Sequence, residues 1–118
     1  MPGIISAKQG FHYSQLIRAR DFRKYNYGPK RNQELYGQKK PPSYNLKKVT
    51  APVFIHFGYN DQTSTPSDAI KLSHTLPNVI GIRPVPSRYF THMDFMWASD
   101  GDEMLYDFII EELNHVNK

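Results

Sequence analysis

PVFIHFGYND, residues 52–61, carries the fold. Val53 to Phe57 is a nearly continuous apolar run of strand-forming residues held between Pro52 and Gly58, which predicts a parallel strand covered on both faces. A helix start follows at Thr65-Pro66-Ser67-Asp68: Thr65 is placed to cap, Pro66 suits the first turn, and Asp68 stands three residues after the cap. Ala69, Leu72, Ser73 and Leu76 keep one face of that helix, and Pro77-Asn78 stops it. Val79 to Val85 is a second strand, so the segment predicts a βαβ unit with parallel neighbours and a right-handed crossover. The fold class is α/β. Residues 86–102 are expected as a loop. Glu103 to Val116 is expected as a closing helix with Leu105, Phe108, Ile109, Leu113 and Val116 on one face and Asp100/Glu103 as a capping box.

Upstream the pattern is poorer. Tyr13, Leu16, Ile17 and Arg20 share a face of a short helix over 11–20, and from Phe22 to Leu46 the punctuation by Gly28-Pro29, Gly37 and Pro41-Pro42 predicts a long irregular connection. The whole chain, 118 residues with 39% hydrophobic and 22% charged, has the composition of a globular domain and excludes a disordered tail or a coiled coil. No run of 18 apolar residues predicts a membrane span, and MPGIISAKQG has none of the features of an export signal. The absence of cysteine removes disulfides and thiolate chemistry. The net charge of +4 hides an asymmetry: Arg18 to Lys48 holds ten basic and two acidic residues, and the remainder is acidic on balance. Tyr25, Tyr27, Tyr36 and Tyr44 interleave with those basic residues, a composition that fits single-stranded nucleic acid or simply a solvated, tyrosine-packed surface. With no RNP-like, KH-like or zinc-knuckle pattern beside it, nucleic acid is not expected as a partner.

In open α/β sheets, functional residues sit beyond the carboxyl ends of the strands. Asp61 lies four residues past Phe57 and His92 seven past Val85, so neighbouring parallel strands present a carboxylate and an imidazole on one edge. A carboxylate on one ring nitrogen fixes the tautomer and leaves the other as general base, which is two thirds of a hydrolytic triad. An Asp and a His in loops are also common as plain solvated residues, and placement by itself leaves both readings open. His56, within the strand, is expected as a packed residue, and His12, His74 and His115 form no local metal motif, so no metal site is expected.

The motifs around these two residues point further. Gly58/Asn60/Asp61, Pro66/Asp68, Leu76/Pro77/Asn78/Val79 and Phe90/His92/Asp94/Phe95/Trp97 occur in the order found in the acid lipases, the gastric, lysosomal and insect digestive lipases of α/β-hydrolase fold, and the chain resembles their C-terminal part. Upstream, His12-Tyr13, Phe22-Arg23, Tyr25, Tyr27-Gly28, Tyr36-Gly37 and Pro41-Pro42 with Tyr44-Asn45-Leu46 resemble the end of that family's cap domain, as does the stretch at residues 2–6. The resemblance implies a division into residues 1–48, the end of a cap, and residues 49–118, the C-terminal βαβα part of the hydrolase domain. It implies Asp61 as triad acid and His92 as triad base. Asp94 belongs to the motif without a catalytic role, and Gln62 and Thr65 depart from the family's usual residues.

None of the eight serines lies in Gly-x-Ser-x-Gly, so the nucleophile serine is expected outside this chain, together with the first half of the sheet. The resemblance therefore implies lipase-type hydrolysis of lipid acyl esters without a cofactor, in a C-terminal piece that is inactive alone. A lipid ester or lipid–water interface is the implied partner, and the secreted or lysosomal space the implied location. A lipid-binding module without turnover is the alternative, with a basic nucleic-acid binder behind it. Met93, Phe95, Met96 and Trp97 are candidates for lining an acyl pocket, with plain core as the equal alternative.

Overall fold

The structure, a computed structural model, describes residues 6–116. Residues 1–5, which include most of the cap-like stretch 2–6, and residues 117–118 lie outside the described residues. The chain divides into two compact units, one reaching Asn45 and the other starting at Leu46.

The first unit opens with α1, Ala7–Ala19. It starts four residues before the expected helix because Ser6 closes a reciprocal cap: its hydroxyl accepts the Gln9 N–H, and the Gln9 side chain accepts the Ser6 N–H. The irregular connection expected over 22–46 contains a helix, α2, Pro29–Tyr36. Gly28 (φ 90°) takes the turn into it, Pro29 occupies its first turn, and Gly37 (φ 71°) leaves it in the left-handed region. The residues read as breakers are its start and stop. The side chain of Asn32 is fully buried and satisfied: its Oδ1 accepts the Tyr27 N–H at 2.9 Å, and its Nδ2 donates to Asn26 Oδ1 and the Lys39 carbonyl at 2.8 Å each. Around it, Gln15 of α1 pairs with both backbone groups of Asn26 at 2.9 Å, and an antiparallel bridge joins Arg23 to Ser43.

The second unit carries the sheet. A short 3-10 turn at Leu46–Lys48 leads to β1, Val53–Phe57, which pairs in parallel with β2, Val79–Pro84, in the register Ile55 to Ile82 and His56 to Arg83. Between them runs α3, Pro66–Thr75, whose predicted start is present in full: Thr65 Oγ1 accepts the Asp68 N–H and the Asp68 carboxylate accepts the Thr65 N–H. A Cβ at Gly81 would lie 2.3 Å from the Phe54 ring, so a larger residue there would have to displace that ring. Two parallel strands with flanking helices are part of an α/β fold. The burial expected for β1 is partial: Ile55 is buried, its neighbours are half-buried, and Ile80 and Ile82 of β2 are exposed.

The expected loop over 86–102 contains a one-turn helix, α4, Asp94–Trp97. The expected closing helix is α5, Asp107–Val116, entered through a π-helical stretch at Asp102–Tyr106. The Asp100/Glu103 capping box is not formed; the wider turn replaces it, lets the Tyr106 hydroxyl donate to the Phe95 carbonyl, and brings the Tyr106 ring against Gly101. Val85, Phe90 and Leu105 are the buried cluster, with Phe95, Ala98, Met104, Tyr106 and Ile109 packed on it. This core lies directly beneath the loop that bears His92. Leu113 and Val116, expected on the buried face of the closing helix, are exposed.

Candidate active site

β1 ends at Phe57, and the chain turns at once: the Asp61 N–H donates to the Gly58 carbonyl at 3.3 Å. Gly58 is buried against the second loop, where a Cβ would stand 2.6 Å from the Phe90 carbonyl oxygen, so only glycine permits this approach. Asn60 completes the junction with its N–H on the Phe90 carbonyl at 3.2 Å and its side-chain amide on the Tyr89 carbonyl at 3.4 Å. The loop after β1 and the loop after β2 are thereby stitched backbone to backbone.

That junction delivers Asp61 to His92. The His92 Nδ1 lies 2.9 Å from Asp61 Oδ2, across 31 residues of sequence. The Asp61 side chain is 3% exposed and that of His92 54%. Burial by itself would raise the Asp61 pKa, but the Ser64 N–H, the His92 hydrogen bond and the Thr63 N–H outweigh it, and the carboxyl is held below its ordinary value. Both backbone donors reach Oδ1 at 2.8 Å. An ionised carboxylate only accepts, so the Nδ1 of His92 donates, and Nε2 is the nitrogen left for chemistry. The arrangement orients an imidazole, fixes its tautomer and stabilises the imidazolium that forms when Nε2 takes a proton.

His92 sits at the second position of a tight turn. Thr91 donates its N–H and hydroxyl to Asp94 Oδ2 at 2.6 and 2.7 Å, and the Asp94 N–H returns to the Thr91 carbonyl at 3.2 Å. On either side the turn is anchored in the core, Phe90 standing edge-on to Phe95 at 4.9 Å. The four candidate lining residues separate here. Phe95 packs on the buried cluster, whereas Met93, Met96 and Trp97 are exposed, the last two at 72% and 65%. Gly58, Asn60 and Asp94 stand inside the motifs that single out Asp61 and His92, yet their parts in the site are structural contacts that no motif spells out.

Elsewhere, His56 is stacked on Phe54 at 4.7 Å and edge-on to Phe108, as a packed strand residue. Among the described residues no group of three or more His, Asp or Glu is placed to hold a metal, and no helix is long and apolar enough to cross a membrane. In the first unit the tyrosines engage one another and the lysines: Tyr25 and Tyr27 lie 4.7 Å apart, Lys8 donates to the Tyr27 hydroxyl at 2.6 Å, and Lys24 lies over the Tyr36 ring.

No family model matches the chain. Among curated proteins it is similar to Lipase 1 of Drosophila melanogaster, 39% identical over 115 residues, covering 98% of this chain and 26% of the relative. Lipase 3 of the same organism is 35% identical over 95% of the chain and 28% of its own length. The gastric triacylglycerol lipase of Homo sapiens is 30% identical over 99% of the chain and 29% of its own length. The chain belongs to the acid lipase family. It spans a little over a quarter of the length of these lipases. Across that quarter the acid lipase similarity covers both units of the chain.

Proposed function

We propose that this chain contributes the acid and the base of a serine ester hydrolase acting on lipid acyl esters, with the nucleophile serine supplied from outside its 118 residues. The observation that carries the proposal is the pair itself: a buried, ionised Asp61 holding Nδ1 of a half-exposed His92 at 2.9 Å. In this reading His92 Nε2 deprotonates the serine as it attacks the ester carbonyl and then hands the proton to the departing alcohol. Asp61 keeps the ring in register and stabilises its charged form. No cofactor takes part. Residues 49–118 are the C-terminal part of the α/β-hydrolase domain and residues 1–48 the end of its cap. The family likeness favours a secreted enzyme.

Met93, Met96 and Trp97, exposed beside His92, are the residues that would meet an acyl chain or a lipid–water interface, while Phe95 supports them from the core. The account has a direct test. The purified 118-residue chain is assayed for hydrolysis of a short-chain nitrophenyl ester beside its His92→Ala variant. Turnover at the buffer rate in both is the expected outcome, since an imidazole–carboxylate pair without a serine presents no activated nucleophile. Robust turnover that disappears in the variant would place the whole chemistry within this chain and overturn the proposal. Binding of triacylglycerol emulsion by a chain whose longer forms also lack turnover would favour the lipid-binding alternative.

A further inference from the structure

Asp94 stands two residues past His92 and closes the turn that carries it. The imidazole must meet a carboxylate oxygen at the far end of another loop, and a hydrogen bond of 2.9 Å tolerates little rotation of the bond that carries the ring. His92 is an exposed loop residue, and its side-chain bond to Asp61 does not by itself hold its backbone. The turn around it does so from both ends. The Asp94 N–H closes on the Thr91 carbonyl, and Asp94 Oδ2 takes the Thr91 N–H and hydroxyl in return. The two central residues, His92 and Met93, are held between these bonds, and Met93 has the helical φ of −73° and ψ of −26° that leads into α4. The Thr91 donors keep the Asp94 carboxyl below its ordinary value, so it stays an acceptor wherever His92 is called on.

We propose that Asp94 is a positioning residue for the base: through the Thr91–Asp94 turn it aims the His92 imidazole at Asp61. The inference rests on the reading of Asp61 and His92 as a catalytic pair. It assigns a role to the second acidic residue of the Phe-x-His-x-Asp motif, one that needs an acceptor oxygen and not a negative charge.

The test reads the His92 Nδ1 proton in the 15N-labelled 118-residue chain. Donated to a buried carboxylate, that proton exchanges slowly and gives a low-field resonance. In Asp94→Ala the resonance is expected to vanish into solvent exchange while the backbone amides of β1 and β2 keep their shifts. In Asp94→Asn, which retains the acceptor, it is expected to persist. An Asp94→Ala chain with the same resonance and exchange rate as the parent overturns the proposal, and so does an Asp94→Asn chain that loses it. Should Asp94→Ala unfold the strands, Thr91→Val decides: it removes only the hydroxyl bond, and faster Nδ1–H exchange supports the role whereas an unchanged rate contradicts it. The underlying pair is checked separately in Asp61→Asn. A resonance that does not move there removes the pair itself, whatever the Asp94 variants do.

Discussion

Asp61 and His56 are two residues whose surroundings set a direction for pH. The Asp61 carboxyl lies below its ordinary value in the folded chain, so above about pH 3.9 the folded state gains from it, and the gain is lost as pH falls through the lower folded value. Replacing it by alanine leaves the Thr63 and Ser64 N–H groups without their Oδ1 partner, and the expected loss is about 1–3 kcal/mol in urea unfolding at pH 7. His92→Ala is expected to cost less, because half its side chain is in water; an equal or larger loss would contradict the asymmetry of the pair. His56 shifts the other way in charge. Burial, and after it the neighbouring Arg83, push its pKa below the ordinary value against the opposing pull of Glu112. Below about pH 6.5 the unfolded chain therefore binds a proton that the folded chain refuses, and stability falls as pH drops toward the folded value. His56→Phe is expected to flatten that slope in urea midpoints measured from pH 7 to pH 5. An unaltered slope would assign it to other groups.

Among the elements, the most local signals were the most readable. VFIHF forms the strand it spells, and Thr65-Pro66-x-Asp68 starts its helix because both bonds of the box lie within four residues. The helix at Pro29–Tyr36 was hidden because its interior is polar, and what it buries is Asn32, a side chain whose worth depends on partners at Asn26, Tyr27 and Lys39. The π-helical entry to α5 was hidden for a related reason: the Tyr106 hydroxyl reaches the Phe95 carbonyl across the fold, and that contact outweighs a capping box that reads well in isolation. At the site, the positions of Asp61 and His92 past two strand ends were legible, and the close approach that joins their loops was not. Two glycines test these elements. Gly58→Ala places a methyl at 2.6 Å from the Phe90 carbonyl oxygen, and forcing the loops apart is expected to cost about 1–3 kcal/mol in urea unfolding; a neutral result would contradict the junction. Gly37→Ala puts a Cβ into the left-handed region at the end of α2 and is expected to speed amide exchange over residues 31–36, an expectation that unchanged rates would defeat.

At the scale of the whole molecule, the described residues leave much apolar surface uncovered. Each strand has one neighbour, Ile110, Leu113 and Val116 of α5 are exposed, and Tyr89, Met96 and Trp97 cluster in sequence around His92 in the same state. Uncovered apolar surface and open strand edges bind other apolar surfaces. The isolated chain is thus expected to bind a hydrophobic dye and to self-associate with rising concentration in sedimentation, whereas a monomer that ignores the dye would mean that these faces are covered. The acid lipase relatives are more than three times as long as the part that matches, and the proposed account needs a serine from beyond these residues.

The measurement that tests this most directly is made on native source material with a fluorophosphonate probe, which labels a serine only when a working base activates it. Proteins containing peptides of this sequence are captured and weighed. The account predicts that these peptides travel with a labelled species much heavier than 13.7 kDa. Recovery of the sequence only in an unlabelled species near 13.7 kDa would contradict it.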